Sequence, residues 1–160
     1  MKRHDYIDAF EKRTKEHIAR VNKYAAKIDK CYPSHDIDKL CELKHGYATM
    51  FKEPLVKSDK KELDEVTVFH IRFNPHHPEY WTKTSLHGWK RDNVTPNGVI
   101  DATAMPEFAI DEMLADWCAM SEEFGNTPFE WFDKVNGTRW KFSRAQINYI
   151  QNRLKEMWDE

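Results

Sequence analysis

Apolar residues recur at helical spacing through most of this chain, and that period limits the possible folds more than any other feature. In the segment 6–28 the apolar residues stand mostly three, four or seven positions apart with charges between them, which predicts an amphipathic helix of about six turns. His17 falls on the same apolar stripe. A second stripe runs from Pro106 to near Gly125, and a third follows Ser143. The chain is therefore expected to consist mainly of helices.

Residues that begin helices mark several further boundaries. Thr127 with Glu130, and Ser143 with Gln146, each have the spacing of a capping box, in which two side chains satisfy backbone amides of the first helical turn. Ser34 follows a proline and can cap another helix. The apolar face of that helix would consist of Ile37, Leu40, Cys41 and Tyr47.

The segment 66–73 is compatible with two structures. Its sequence, VTVFHIRF, has the β-branched and aromatic residues typical of a strand, but Val66, Phe69, His70 and Phe73 would also share one face of a helix. We predict a helix. An irregular loop is expected near 82–104, where glycine, proline and asparagine are frequent.

The composition agrees with a helical fold. An aromatic content of 13% with only five glycines favours helices around a bulky core, and a length of 160 residues is typical of one domain. We therefore predict an all-α protein: a single compact helical domain over residues 1–160, with about five to seven helices. With 25 basic and 27 acidic residues the formal charge is −2, so we expect no duplex nucleic acid as a partner.

Cysteine usage and the lack of long apolar runs bear on the compartment. The three cysteines form no CxxC pair, which fits reduced thiols. Residues 1–10 carry charges and lack the apolar core of a signal peptide, and no run approaches the roughly 20 apolar residues of a membrane span. The sequence thus predicts a cytoplasmic protein that does not enter the membrane.

A histidine directly followed by an aspartate, His35 and Asp36, stands in a polar stretch that could be an ordinary surface turn or half of a metal site. Further residues of metal-binding type lie on separate apolar elements. Asp116 is the most informative of them, because it falls between Leu114 and Trp117 and a buried carboxylate needs a partner. The complete candidate set is His17, His35, Asp36, His70, His76, His77 and Asp116.

The order His, His-Asp, further His, then Asp resembles the metal-dependent HD phosphohydrolase superfamily over roughly residues 6–120. The stretch HDIDK at 35–39 is similar to the His-Asp-Ile-Gly-Lys stretch of the HD-GYP branch, and the histidines at 76–77 are similar to its paired histidines. The Gly-Tyr-Pro element of that branch is missing. More narrowly, the motifs HDxxK, HHxEYW and MPxxAxxEMxxDW resemble a small family carried by tailed phages and bacteria, with no substrate assigned to it.

The resemblance implies that His35 and Asp36 are adjacent ligands of a metal ion and that Lys39 lies near a substrate phosphate. Several imidazoles with two carboxylates suit Mn, Fe, Co, Ni or Zn better than the all-oxygen shells of Mg or Ca. One ion is expected from the ligands at 17, 35, 36 and 116. His70 with one of the paired histidines makes room for a second ion, and the choice between His76 and His77 stays open.

Lys39 and Glu112 are the candidate catalytic residues, and each has an alternative role. Lys39 can hold a phosphate as a point charge or pair with Asp36, three positions earlier. Glu112, four positions before Asp116, can orient an imidazole, act as a general base or lie in solvent. We interpret Glu79 as a surface residue.

The aromatic residues of the middle of the chain are assigned mainly to the core. Tyr80 and Trp81 are interpreted as core residues because large aromatic side chains dominate helical cores. Trp89, Lys90 and Arg91 are interpreted as exposed loop residues, with a lid over the site as the alternative.

The ligand order and Lys39 favour a metal-dependent phosphohydrolase with metal-activated water as the nucleophile. The resemblance implies that its substrate is a nucleotide or another small phosphate ester. One alternative is a non-catalytic nucleotide- or protein-binding protein with a structural metal, such as a phage accessory protein. The second alternative is a diiron oxygenase built on the same helical shell.

Overall fold

The computed structural model describes residues 3–158, with side chains described for 5–158. Within that part of the chain six α-helices dominate, which confirms the predicted all-α fold. They are α1 (Arg3–Ala25), α2 (Lys44–Ala48), α3 (Lys57–Phe73), α4 (Glu107–Phe124), α5 (Pro128–Val135) and α6 (Arg144–Met157). Single 3-10 turns cover Ala26–Ile28, Ile37–Leu40, Thr49–Phe51 and Pro78–Tyr80.

Helix α4 lies at the centre of the fold. It packs along α1 and also contacts α5 and α6, and the largest apolar cluster fills the space between these helices. Val21, Leu114 and Ile150 are fully buried there. Across the described residues, no helix has the length and apolar character needed to cross a bilayer.

The ends of the later helices follow from the caps seen in the sequence. Gly125 ends α4 in the left-handed conformation, with φ of 75°, and its N–H donates to the carbonyl of Ser121. The capping box that begins α5 is formed, because Thr127 Oγ1 accepts from the N–H of Glu130 at 3.1 Å and the Glu130 carboxylate accepts from the N–H of Thr127 at 3.0 Å. The capping box that begins α6 forms in the same way.

The segment 66–73 is helical, as predicted, but only part of the predicted face is buried. Phe69 and Phe73 are exposed, whereas the buried face of α3 carries Thr67, His70 and Ile71. The segment has apolar residues around most of its circumference, so periodicity alone does not identify the side that packs.

The helix predicted to start at Ser34 is wrong. The chain instead forms turns and the 3-10 segment Ile37–Leu40 before the short helix α2, and Ile37 is exposed. Asp36 has φ of 54°, a left-handed conformation that Asp tolerates better than most residues. Adjacent side chains of a regular α-helix point about 100° apart, whereas here Oδ2 of Asp36 lies 3.5 Å from Nε2 of His35.

Two strands of two residues each also differ from the sequence prediction. Strand β1 (Ile100–Asp101) pairs in parallel with β2 (Trp140–Lys141), with Ile100 opposite Trp140. The loop expected near 82–104 is thus ordered at its end by a contact about 40 residues distant in sequence. This pairing joins the loop to the segment that precedes α6.

The packing of α2 on α3 depends on a glycine. A Cβ atom placed on Gly46 would lie 2.4 Å from Cγ1 of Val66, whose branched side chain is stiff.

We expect Gly46→Ala to lower the free energy of unfolding by about 1–3 kcal/mol despite the higher helix propensity of Ala. Urea unfolding measures this change. In the double variant with Val66→Ala the overlap disappears, so its loss of stability should be smaller than the sum of the two single losses. A Gly46→Ala protein that is more stable than the wild type would contradict the close packing.

Candidate metal centre

The structure brings all seven candidate ligand residues to one place in the molecule. They come from four regions of the chain: α1, the turn before the 3-10 segment Ile37–Leu40, the end of α3 with the turn after it, and α4. Their donor atoms form three overlapping groups, and within each group these atoms lie within 4.8 Å of one another. The groups are Asp36 with His70, His76 and His77; His17 with His35 and Asp36; and His35 with His76 and Asp116.

Asp36 lies at the centre of this cluster and is 2% exposed. Its Oδ1 is 3.1 Å from Nε2 of His70 and 3.2 Å from Nε2 of His76. Its Oδ2 faces a different pair, at 3.5 Å from Nε2 of His35 and 3.7 Å from Nε2 of His17. The two carboxylate oxygens therefore face two separate sets of imidazoles.

Asp116 closes the second of these sets from helix α4. Its Oδ1 is 2.8 Å from Nε2 of His17 and 3.7 Å from Nε2 of His35. The prediction that Asp116 has a polar partner is thereby confirmed, because α1 supplies an imidazole to a carboxylate on an otherwise apolar helix face.

Several nitrogen and oxygen atoms that could ligate a metal ion are buried without a hydrogen-bond partner among the described residues. They are Nε2 of His35, His70, His76 and His77, and Oδ1 of Asp36. Oδ1 lies close to Nε2 of His70 and His76, but no hydrogen bond forms between them. A buried polar atom left unpaired costs about 1–3 kcal/mol, and such atoms are uncommon in native proteins. Imidazole and carboxylate lone pairs that converge in this way fit a metal ion, which would satisfy them together. The cluster can therefore hold a metal ion.

Carboxylates behind the cluster fix the orientation of three imidazoles. Nδ1 of His35 and Nδ1 of His76 are each 2.8 Å from Oε2 of Glu112. Nδ1 of His70 is 2.8 Å from Oδ2 of Asp38. When Nδ1–H donates to a carboxylate, Nε2 carries the free lone pair and faces the cluster, an arrangement common to histidines that bind metals.

Asp38 and Asn74 are site residues that the sequence patterns did not predict. Nδ2 of Asn74 donates to Oδ2 of Asp38 and to the carbonyl of His70, each at 2.8 Å. Asn74 stands four positions after His70 and so lies near the same helix face. That spacing is the one signal in the sequence that could have placed it.

The imidazoles lower the pKa values of the carboxylates around them. Burial alone would raise the pKa of Asp36, but the charges of His35 and Lys39 hold it well below its usual value. Burial also opposes the shift of Glu112, yet hydrogen bonds from His35 and His76 lower its pKa to about 2. Both carboxylates are therefore ionised at neutral pH.

The histidines respond in opposite directions. Burial would lower the pKa of His35, but Asp36, Asp116 and Glu112 raise it to about 10. Burial and the charges of His76 and His70 hold the pKa of His77 well below its usual value, because they outweigh the opposing charges of Asp116 and Asp36. The carboxylates around His35 thus favour a positive charge at this position, and a bound metal ion would take the place of the proton on Nε2. His77 keeps a free lone pair.

The two candidate catalytic residues both contact the cluster. Nζ of Lys39 is 3.1 Å from Oδ2 of Asp36 and lies 4.8 Å from the centre of the Tyr47 ring. The ion pair considered for Lys39 is therefore present, and its role toward phosphate stays a prediction. Glu112 holds two imidazoles, as the orienting role requires, and does not lie free in solvent.

Two interpretations of the segment after the paired histidines are wrong. Glu79, expected at the surface, is 1% exposed and accepts hydrogen bonds from Nε1 of Trp140 at 3.0 and 3.1 Å. Tyr80, expected in the core, is exposed, and Trp81 is half-buried. The 3-10 turn Pro78–Tyr80 directs the carboxylate inward toward β2 and the phenol outward.

A cavity of about 450 Å³ adjoins the cluster and reaches five of the seven candidate ligands. Lys39, Tyr47 and Arg91 line it, together with Arg139 from the segment before β2. Trp89 lines it as well and is buried, so its interpretation as an exposed loop residue is wrong. The cavity has the volume of a small-molecule site.

These features define a class: a helical protein with a buried cluster of histidines and aspartates that can hold a metal ion beside a cavity lined by cationic side chains. The chain belongs to a family of unknown function, DUF5662, whose model matches residues 6–157. No curated protein and no solved structure matches it.

Metal binding should stabilise the fold. The ligands come from distant segments, so an ion that binds only the folded chain adds about 2.7 kcal/mol to the free energy of unfolding at one hundred times its dissociation constant. We expect Mn²⁺ or Zn²⁺ to raise the thermal midpoint of protein first stripped with EDTA. Asp36→Asn should abolish the increase, while His45→Ala, at an exposed histidine, should retain it. An equal increase in Asp36→Asn would contradict the site.

Proposed function

We propose that this protein is a metal-dependent phosphohydrolase that acts on a nucleotide or another small phosphate ester. The observation that carries the proposal is the carboxylate of Asp36, which faces two sets of imidazoles, several with an unpaired Nε2, and borders a cavity lined by lysine and arginine side chains. The family that the chain belongs to has no known function. The support for a hydrolase is therefore the geometry of the site and the resemblance to the HD superfamily.

The donor set supports a transition metal. Imidazole-rich sites with few carboxylates suit Mn, Fe, Co, Ni or Zn, and Asp36 with one oxygen toward each imidazole set supports two ions rather than one. One ion would be held by His17, His35, Asp36 and Asp116, and the other by Asp36, His70, His76 and His77. When bound, such ions polarise a phosphoryl oxygen and lower the pKa of a coordinated water toward neutrality.

The residues of the chain supply the other requirements of hydrolysis. Glu112 and Asp38 hold the imidazoles so that Nε2 of each faces the reacting group. Lys39, beside Asp36 and on the cavity wall, places a positive charge where a phosphate that contacts the cluster would lie. Tyr47 packs against that lysine and limits its movement.

The function is tested by metal analysis of the purified protein, followed by phosphate release from a panel of nucleotides and other phosphate esters with Mn, Co, Ni or Mg. We expect release that depends on metal and is lost in His35→Ala and in Asp36→Ala while circular dichroism shows a folded chain. His45→Ala is the matched control and should keep full activity. Wild-type protein that is inert with every metal and ester would refute the hydrolase and favour the binding protein; oxygen consumption by a coloured protein would favour the diiron oxygenase.

The role of Lys39 can be separated from its ion pair with Asp36. If Lys39 holds the phosphate, Lys39→Gln should lower kcat/KM by about tenfold or more, because a charge-assisted hydrogen bond is worth about 1.5–3 kcal/mol. Metal content should stay the same. Lys60→Gln, at an exposed lysine of α3, is the control and should have no effect. A loss of activity that matches a loss of bound metal would assign Lys39 to the ion pair alone.

A further inference from the structure

Arg91 and Arg139 line the cavity beside the cluster, and neither forms an ion pair with any described residue. Arg13, on the same cavity, is different, because its guanidinium is 2.7 Å from Oε1 of Glu123. The guanidinium of Arg91 donates one hydrogen bond, to Oγ1 of Thr67 at 3.3 Å. The cavity thus has two guanidinium groups whose charge is not neutralised by a direct carboxylate contact.

Arg139 is positioned by stacking on an aromatic ring, but one of its buried N–H groups has no acceptor among the described residues. Its guanidinium lies 4.4 Å from the centre of the Trp140 ring, and its Nε is buried with no acceptor among the described residues. The carboxylate of Glu79 instead accepts from the indole of Trp140. Burial lowers the pKa of Arg139, the charge of Glu79 raises it, and the charge of Arg91 lowers it further. The two arginines therefore repel each other across a partly desolvated space, which an anion between them would relieve.

Trp89 adds a third donor to the same cavity. Its Nε1–H is buried and has no acceptor in the described part of the chain. The turn that follows is closed by two hydrogen bonds between Lys90 and Asn93, and the N–H of Arg91 donates to Oδ1 of Asp64 on α3 at 3.0 Å. Trp89 and Arg91 are thus held at an ordered turn, and the indole N–H of Trp89 lacks an acceptor among the described residues.

We propose that Arg91, Arg139 and Trp89 form an anion site that binds a second phosphate group of the substrate, distinct from the phosphate that reacts at the cluster. This inference rests on the proposed function. The planar guanidinium offers paired N–H donors that match the oxygens of a phosphate. Lys39 contacts Asp36 directly, whereas Arg91 contacts Thr67 and Arg139 stacks on Trp140, so the arginine pair is separate from the cation at the reaction centre. The substrate class is therefore a small ester with at least two phosphate groups.

Calorimetry on the metal-loaded protein tests the site with two probes, inorganic phosphate and the non-hydrolysable methylenediphosphonate. Wild type should bind the diphosphonate more tightly. Arg139→Gln and Arg91→Gln should each weaken diphosphonate binding by about tenfold while phosphate binding changes by less than about twofold. Arg72→Gln, at an exposed arginine of α3, is the matched control and should change neither affinity. Circular dichroism confirms folding, and Arg91→Gln, at an exposed position, keeps the test open if Arg139→Gln does not fold.

The result that overturns the site is an arginine variant that binds both probes as the wild type does, or that loses affinity for both equally. This outcome is distinguishable from failure of the proposed function. Selective loss of diphosphonate binding in a protein that releases no phosphate from any ester would support the anion site and refute the hydrolase. Phosphate release with affinities insensitive to Arg91 and Arg139 would refute the anion site alone.

Discussion

The buried carboxylate of Asp36 is the constraint on which the arrangement of this molecule depends. A buried carboxylate without compensation costs on the order of several kcal/mol, so the surrounding segments must bring positive or polarisable groups to it. Those groups come from α1, α3 and the turn after α3, while Lys39 approaches from the Asp36 segment itself. Electrostatics at one residue thus acts together with the apolar core to fix the relative placement of these segments.

The local backbone is adapted to the same constraint. Asp36 adopts a left-handed conformation, and the chain continues in a 3-10 segment instead of a regular helix. Such conformations are unfavourable for most residues and persist where the surroundings determine them. Here the gain is that His35 and Asp36, adjacent in sequence, both reach the cluster. Asp38, two positions on, then accepts from His70 and orients a third imidazole.

Sequence patterns predicted those parts of the fold that local chemistry determines. The helices α1, α4 and α6 follow from apolar period and caps, and the candidate ligands follow from residue type on apolar faces. The features of the fold that the sequence patterns did not predict depend on contacts between residues distant in the chain. The buried side of α3 depends on which neighbour covers it, and Glu79 is buried because Trp140, sixty-one positions later, donates to it. Arg139 carries no local mark, since only the folded chain brings it to the cavity.

Two carboxylates, Asp36 within the cluster and Glu112 behind it, each contact imidazoles of both sets. Inside, the two oxygens of Asp36 face the two imidazole sets. Outside, one oxygen of Glu112 accepts from His35 of one set and from His76 of the other. Because a single carboxylate oxygen holds both rings, a shift of α4 that carries Glu112 would turn both imidazoles together. Glu112 therefore links the two imidazole sets through α4, the same helix that supplies Asp116 and packs in the middle of the apolar core.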